Sequence, residues 1–404
     1  MLADSCLENV VSAQIIRNLN ALEEVFHSVD QAVPFNFTVF AEVSGSMHVD
    51  ALRLSVARQM SRFPILRGRV DTSDGQLVWT CCDSEPRVDM VSGGTLADQL
   101  ANQLNTAFAP DEPYLRVRWH RGKGVDVILL TLNHVIADGR SGIRLLQHIL
   151  DDAAALIGGE PLMDPVPENT ISDVPVRSVA KPLATPARQF PETDISSRNT
   201  AVLPISFDRA LTGALSSKCQ RLGLSLTALI GAAHALSLAD VFGERVPVSM
   251  SFPVDLRGRS VAQSTSTFGL AVGNASLLYR LDAADDPWSL ATRMSGDLKR
   301  AALAAEPMRI GPSSVMDLYA ARSTGAISSA GRVRDWLPYP GLLVQRLGFA
   351  VSCSVVGDHI LTATTYDDTL QLSYCVVGDA IPLVHAQGIA SATVERLQYL
   401  AQGS

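Results

Sequence analysis

Leu132-Asn133-His134-Val135-Ile136-Ala137-Asp138-Gly139-Arg140-Ser141 is the stretch on which the reading of this chain turns. Upstream of it, Val125 to Leu132 is rich in Val, Ile and Leu on both faces, the pattern of a strand buried on both sides. Downstream, Ile143, Leu146, Ile149 and Leu150 form the apolar stripe of a helix running from Ser141 to about Leu156, with Ser141 as its expected N-cap. Asp138-Gly139 supplies the tight turn between them. The histidine thus stands at the end of a buried strand with an aspartate four residues on. Its ordinary pKa near neutrality suits it to take a proton from a hydroxyl or an amine. Taken alone, however, H-x-x-x-D is a common spacing, and a histidine after an apolar strand is ordinarily a satisfied core or turn residue.

Outward from this stretch, seven of the 21 prolines fall between Gly158 and Thr200: Pro161, Pro165, Pro167, Pro175, Pro182, Pro186 and Pro191. Proline removes backbone donors and fixes φ, so residues 158–200 read as a surface crossover. It separates an N-terminal unit, 1–157, from a C-terminal one, 201–404. The first unit predicts a helix at Ala21–Ser28, a strand at Phe35–Val43, a helix at Val49–Phe63 and a hairpin around Asp74-Gly75. The second predicts a strand at Val202–Phe207, a helix Ala210–Leu222 closed by Gly223, and a very apolar helix Leu226–Ala239. Strands at Val246–Ser251, Ala271–Leu281, Gly348–Ser354, His359–Tyr366 and Gln371–Val376 follow, then a helix from Gln387 to Ala401. Two similar α/β sandwich units with mixed sheets are the expected fold.

Composition limits the function. A net charge of -8 argues against nucleic acid as a partner. Arg53, Arg58, Arg62, Arg67 and Arg69 form one basic cluster and Arg116, Arg118, His120, Arg121 and Lys123 another, each expected to be a solvated face, with docking of an acidic partner as the lesser reading. The six cysteines show no C-x-x-C pair and no histidine at metal-ligand spacing, so reduced thiols, no metal and a cytoplasmic setting are expected. Met1 to Val11 lacks the basic start and apolar run of a signal peptide, and no membrane span is expected, because His234 and Asp240 interrupt the most apolar segment. No G-x-G-x-x-G follows a strand and no G-x-S-x-G occurs, which disfavours a Rossmann dehydrogenase and a nucleophile-elbow hydrolase.

Strand, H-x-x-x-D-G, then helix resembles the motif of the chloramphenicol-acetyltransferase-like and condensation-domain superfamily. Further segments place the likeness nearest the mycobacterial polyketide-associated acyltransferases of phthiocerol dimycocerosyl transferase type. Arg17-Asn18-Leu19 with Glu23-Glu24 resembles their opening, and Arg62-Phe63-Pro64-Ile65-Leu66-Arg67 is similar to their H-P-V-L-R-like segment. Gly223-Leu224-Ser225-Leu226-Thr227-Ala228, Pro253-Val254-Asp255-Leu256-Arg257 and the run Gly269 to Ser276 match in order along the second half.

The resemblance implies an active-site tunnel between the two units, with His134 as the base. It implies that Asp138 faces away from the substrate and pairs with Arg257 in an orienting role, and that Gly139 lets the helix start approach closely. Ser328 and Ser329 would lie near an oxyanion or tunnel position, although a plain loop is the favoured reading there. The family's first histidine is Asn133 here, which would either hold the loop through its amide or mark altered chemistry. The activity implied is O-acyl transfer from a thioester on an acyl carrier protein or on coenzyme A to a small-molecule alcohol, polyketide-like, giving an ester. A carrier protein or polyketide synthase would be the partner, phosphopantetheine or coenzyme A the co-substrate with no resident cofactor, and the chain would act as a monomer. Two other readings stay open: an altered condensation-like enzyme forming amides, dehydrating or cyclising, and a non-catalytic module that binds a carrier protein.

Overall fold

The computed structural model describes residues 14–82, 87–172, 174, 190–243, 245–258, 267–307, 315–333 and 341–402. Met1 to Val11, Cys6, Pro175, Pro182 and Pro186 lie outside them.

Two mixed sheets organise the molecule. The first has five strands in the order Leu342–Val351, Asn36–Gly45, Asp126–Asn133, Leu115–His120, Val88–Val91. The strand that precedes the histidine therefore sits in the middle, which is why both its faces are apolar. The helix Gly139–Ile157 returns against the neighbouring strand Asn36–Gly45 and packs beside the helix Val49–Arg62. The second sheet has seven strands: Glu306–Pro307, Val272–Leu281, Val246–Asp255, Gly325–Arg332, His359–Tyr366, Thr369–Val377 and Thr200–Phe207. Pro204, which cannot donate to a ladder, is accommodated because Thr200–Phe207 is an edge strand. A small three-stranded sheet, Ile15–Asn18, Gln76–Cys81 and Gly68–Ser73, holds the expected hairpin, with Asp74 and Gly75 both at positive φ.

Leu342–Val351 belongs by sequence to the second half yet pairs along Asn36–Gly45 in the first sheet. The N-terminal sheet is therefore not built from residues 1–157 alone. From this crossing strand, the backbone carbonyl of Phe349 accepts the Thr362 hydroxyl at 2.6 Å, tying the two sheets together. The end of the crossover is fixed by a buried triad: Asp358 takes Arg198 at 3.1 Å and Arg322 at 2.8 Å. All three side chains are essentially inaccessible, so loss of either arginine leaves a buried charge underpaired.

Several local expectations change. The helix after the motif begins at Gly139 and its N-cap is Asp138, whose carboxylate accepts the Ser141 N–H, so Ser141 lies inside the first turn. Residues 325–332 form a strand rather than a loop. The second basic cluster is not a solvated face: in Leu115–His120, Arg116 and His120 are buried, and Arg116 pairs with Glu112 at 2.9 Å. The helix Leu226–Phe242 is buried almost throughout, and no single helix among the described residues is long and apolar enough to cross a membrane.

Candidate active site

His134 follows the last residue of its strand, and its backbone N–H donates to Phe35 at 2.8 Å. Phe35 and Phe37, two apart in extended chain, point to one side and meet Phe26 from the helix Ala21–Ala32. The imidazole lies among these three rings, with centroid distances of 5.0 Å to Phe26, 4.9 Å to Phe35 and 5.0 Å to Phe37. Asn133, Val135, Ile136, Ala137 and Asp138 are buried, while His134 alone in this run keeps partial exposure.

Nδ1 of His134 lies 2.9 Å from the Ala137 carbonyl oxygen. A carbonyl only accepts, so Nδ1 carries the hydrogen and the neutral ring presents a lone pair on Nε2. Burial lowers the pKa of the ring below its usual 6.5, and the Asp138 charge opposes that shift only in part. The ring is thus held as a free base at neutral pH, with one nitrogen engaged and the other available.

Asn133 is fully enclosed and its Oδ1 accepts the Val135 N–H at 3.0 Å, which fixes the turn that carries His134. Its side chain also faces Asp30, whose carboxyl burial pushes up; the N–H of Phe35, the Asn133 amide and His27 pull it back in part.

Asp138 and Arg257 meet at 2.8 Å, and both are buried. Burial works against the ionised Asp138, but the Arg257 charge, its hydrogen bond and the N–H groups of Ala271 and Ser141 outweigh it and hold the carboxyl below the usual range. Arg257 is in turn saturated: Asp255 at 2.9 Å, the Thr267 carbonyl at 2.9 Å, the Gly269 carbonyl at 2.6 Å and the Ser141 hydroxyl at 2.7 Å. The Ser141 hydroxyl also donates to the Gly269 carbonyl and accepts the Gly269 N–H. Ser141 is therefore a bolt between the halves that sequence reasoning, which read it as a cap, missed.

Gly139 does not meet the crowding expected of it. A Cβ there would lie 3.5 Å from the Phe349 ring, an ordinary contact. The close approach falls at Gly142, where a Cβ would come within 2.5 Å of the Phe37 ring. Ser329 is turned towards the helix side of the second sheet, where its hydroxyl accepts from Thr227 at 3.0 Å and lines a cavity of about 430 Å3. Ser328 pairs in register with Thr362. It therefore takes the opposite face, the one that reaches the crossing strand. Among the described residues no group of His, Cys, Asp and Glu is arranged to hold a metal ion, and Cys81, Cys219, Cys353 and Cys375 are free thiols.

Comparisons with known proteins bear on the fold and on the second half of the chain. Residues 196–374 match the family profile described as the phthiocerol/phthiodiolone dimycocerosyl transferase C-terminus. Nearly the whole chain shares its fold with solved structures. Polyketide synthase associated protein 5 from Mycobacterium tuberculosis aligns with a TM-score of 0.72 at 18% identity, covering 96% of this chain and 99% of that one. The first condensation domain of the calcium-dependent antibiotic synthetase, in complex with a substrate analogue, gives 0.73 at 15%, covering 96% and 97%. The TRI3 trichothecene 15-O-acetyltransferase from Fusarium sporotrichioides gives 0.70 at 11%, covering 95% of each chain. No curated protein matches in sequence. The fold is thus one shared with a condensation domain and an acetyltransferase.

Proposed function

We propose, for a chain with the condensation-domain fold and a second half of dimycocerosyl-transferase type, that it is an acyltransferase moving an acyl group from a thioester to the hydroxyl of a polyketide-like small molecule. The observation that carries this reading is the commitment of His134 Nδ1 to the Ala137 carbonyl, which leaves Nε2 unprotonated on the one side chain of an otherwise buried loop that keeps partial exposure.

Nε2 takes the proton of the acceptor hydroxyl as its oxygen attacks the thioester carbonyl carbon. The tetrahedral oxyanion collapses, the carbon–sulfur bond breaks, and the imidazolium returns the proton to the departing thiolate, so no covalent enzyme intermediate forms. The three phenylalanine rings keep the imidazole poorly solvated and hence neutral at rest. Asp138 and Arg257 do not touch the reacting atoms in this scheme; they hold the loop and the two halves in register. The donor is a thioester on a carrier protein, or on coenzyme A, in a cytoplasmic setting.

The test is intact-mass analysis and thiol release with a panel of acyl thioesters and candidate alcohols and amines. His134→Ala should lower turnover by about two to four orders of magnitude while leaving the thermal transition in place. Equal thiol release by wild type and variant removes the proposal. Product formation from amines but not alcohols reassigns the chain to amide synthesis. Partner binding without turnover in the wild type leaves only the non-catalytic module.

A further inference from the structure

A second concave site lies one helical turn beyond the Asp138–Arg257 pair. The helix Gly139–Ile157 presents Arg140, Arg144 and His148 at four-residue intervals, hence along one face. With Arg62, Arg257 and Glu168 they line a cavity of about 170 Å3 at the seam between the helices, the crossover and the second half. Most of its charges are matched. Arg62 donates to Glu168 at 2.6 Å, Arg140 pairs with Asp255, and Arg257 holds Asp138 and Asp255 at 2.8 Å and 2.9 Å.

Arg144 is different. Among the described residues no carboxylate lies within ion-pair distance of it. Burial and then the charges of Arg140, Arg257 and Arg62 press its pKa down, against Glu168 alone. The same field acts on His148, which burial, Arg62 and Arg144 push down to about 4, so it is a neutral imidazole at pH 7. Four guanidinium groups face three carboxylates (Glu168, Asp255 and Asp138), which leaves one positive charge beside an open volume. A small anion completes that balance. The planar fork of arginine fits the oxygens of a phosphate in particular.

We propose that this cavity binds the phosphate of a phosphopantetheine arm, with Arg144 as its principal charge. The proposal rests on the acyl-transfer reading, since both carriers of an acyl thioester, a carrier protein and coenzyme A, bear that phosphate. It gives the Arg257 network a second use, because the side chain that bolts the two halves also forms a wall of the anion site.

Calorimetry on the full chain with 4′-phosphopantetheine and with pantetheine tests it without requiring turnover. The wild type should bind the phosphorylated arm about tenfold or more tightly, the size of one charge-assisted contact. Arg144→Gln should erase that preference and Arg144→Lys should keep part of it; Arg144 is exposed, so both variants should retain the wild-type thermal transition. An Arg144-dependent gain with coenzyme A but not with a phosphopantetheinylated carrier protein identifies the free thioester as the source, and the reverse identifies the carrier. Equal binding of both arms by the wild type overturns the proposal. So does a phosphate preference that survives Arg144→Gln, or inorganic phosphate binding as tightly as the whole arm. Thiol release with His134→Ala as control is measured separately, so a failure of transfer and a failure of this site are told apart.

Discussion

The chemistry proposed for His134 follows from what each of its nitrogens meets. Nδ1 is fixed by a backbone carbonyl, and the ring is walled by three phenylalanines that solvate an imidazolium poorly. The pKa is therefore lowered, and the base form is present at neutral pH. The acid limb of kcat/KM should accordingly fall through an apparent pKa below 6.5, and a rate-against-pH profile of the wild type checks this; a limb above 6.5 contradicts it. At Asp138 the same enclosure makes the partner indispensable. Arg257→Met should destabilise by about 3–5 kcal/mol, because the carboxylate stays buried without its counter-charge. Adding Asp138→Asn should recover part of that loss, since the pair then disappears together. Urea denaturation of the two single variants and the double variant measures the coupling, and additive losses would mean that the pair is not a unit.

At the scale of elements, the site is a strand, a capped turn and a helix pressed onto a neighbouring strand. The closest approach is at Gly142, where an added methyl would come within 2.5 Å of the Phe37 ring and 3.0 Å of Val39, both buried. Gly142→Ala should therefore cost about 1–3 kcal/mol of stability by overpacking. Because Phe37 is also a wall of His134, kcat should fall more than in a variant of equal instability elsewhere, such as Leu400→Ala in the last helix. Denaturant midpoints paired with thiol-release rates decide this. The strand–turn–helix was legible in the sequence because a two-sided apolar run, a turn pair and a 3.6-residue stripe occur in succession. The helix Leu96–Asn105 was not read, although Leu96, Leu100 and Leu104 recur every four residues and Thr95 with Asp98 makes a capping box, the signal that was there to find. In Leu115–His120 the alternation of Leu115, Val117 and Trp119 was hidden by the charges between them. Gly325–Arg332 carries no strand pattern of its own; its small residues are required by packing, since a Cβ on Gly325 would sit 2.4 Å from the His359 ring. Which sheet Leu342–Val351 joins is a tertiary choice that no local spacing encodes, and the anion cavity inherits that limit because its walls come from distant segments.

The whole molecule carries a pH liability far from the reaction. His234 and His359 face each other at 3.0 Å through their Nε2 atoms, both fully buried in the second half. The Thr393 hydroxyl donates to the Ile389 carbonyl and so accepts from His234 Nδ1 at 3.3 Å. His234 Nε2 is then the acceptor and His359 Nε2 the donor, which leaves His359 Nδ1 buried without a partner among the described residues. Phe190 and Tyr374 close the site with aromatic rings, and neither supplies a charge to compensate a proton. Burial drives His359 down to about 3 and, with the His359 neighbour, drives His234 well below its ordinary value. Both rings are thus less basic folded than unfolded, so as pH falls the unfolded chain takes up protons first. The contribution to stability is complete above about pH 6.5 and is lost progressively towards pH 3, at about 1.4 kcal/mol for each pKa unit of separation. His359→Gln places an amide donor near His234 and removes one titration. The variant should lose less stability than the wild type between pH 6.5 and pH 4, whatever its stability at pH 8. Urea midpoints at stepped pH measure that slope, and parallel curves for the two proteins would place the acid sensitivity elsewhere, with His148 and the Asp138–Arg257 pair the next groups to vary.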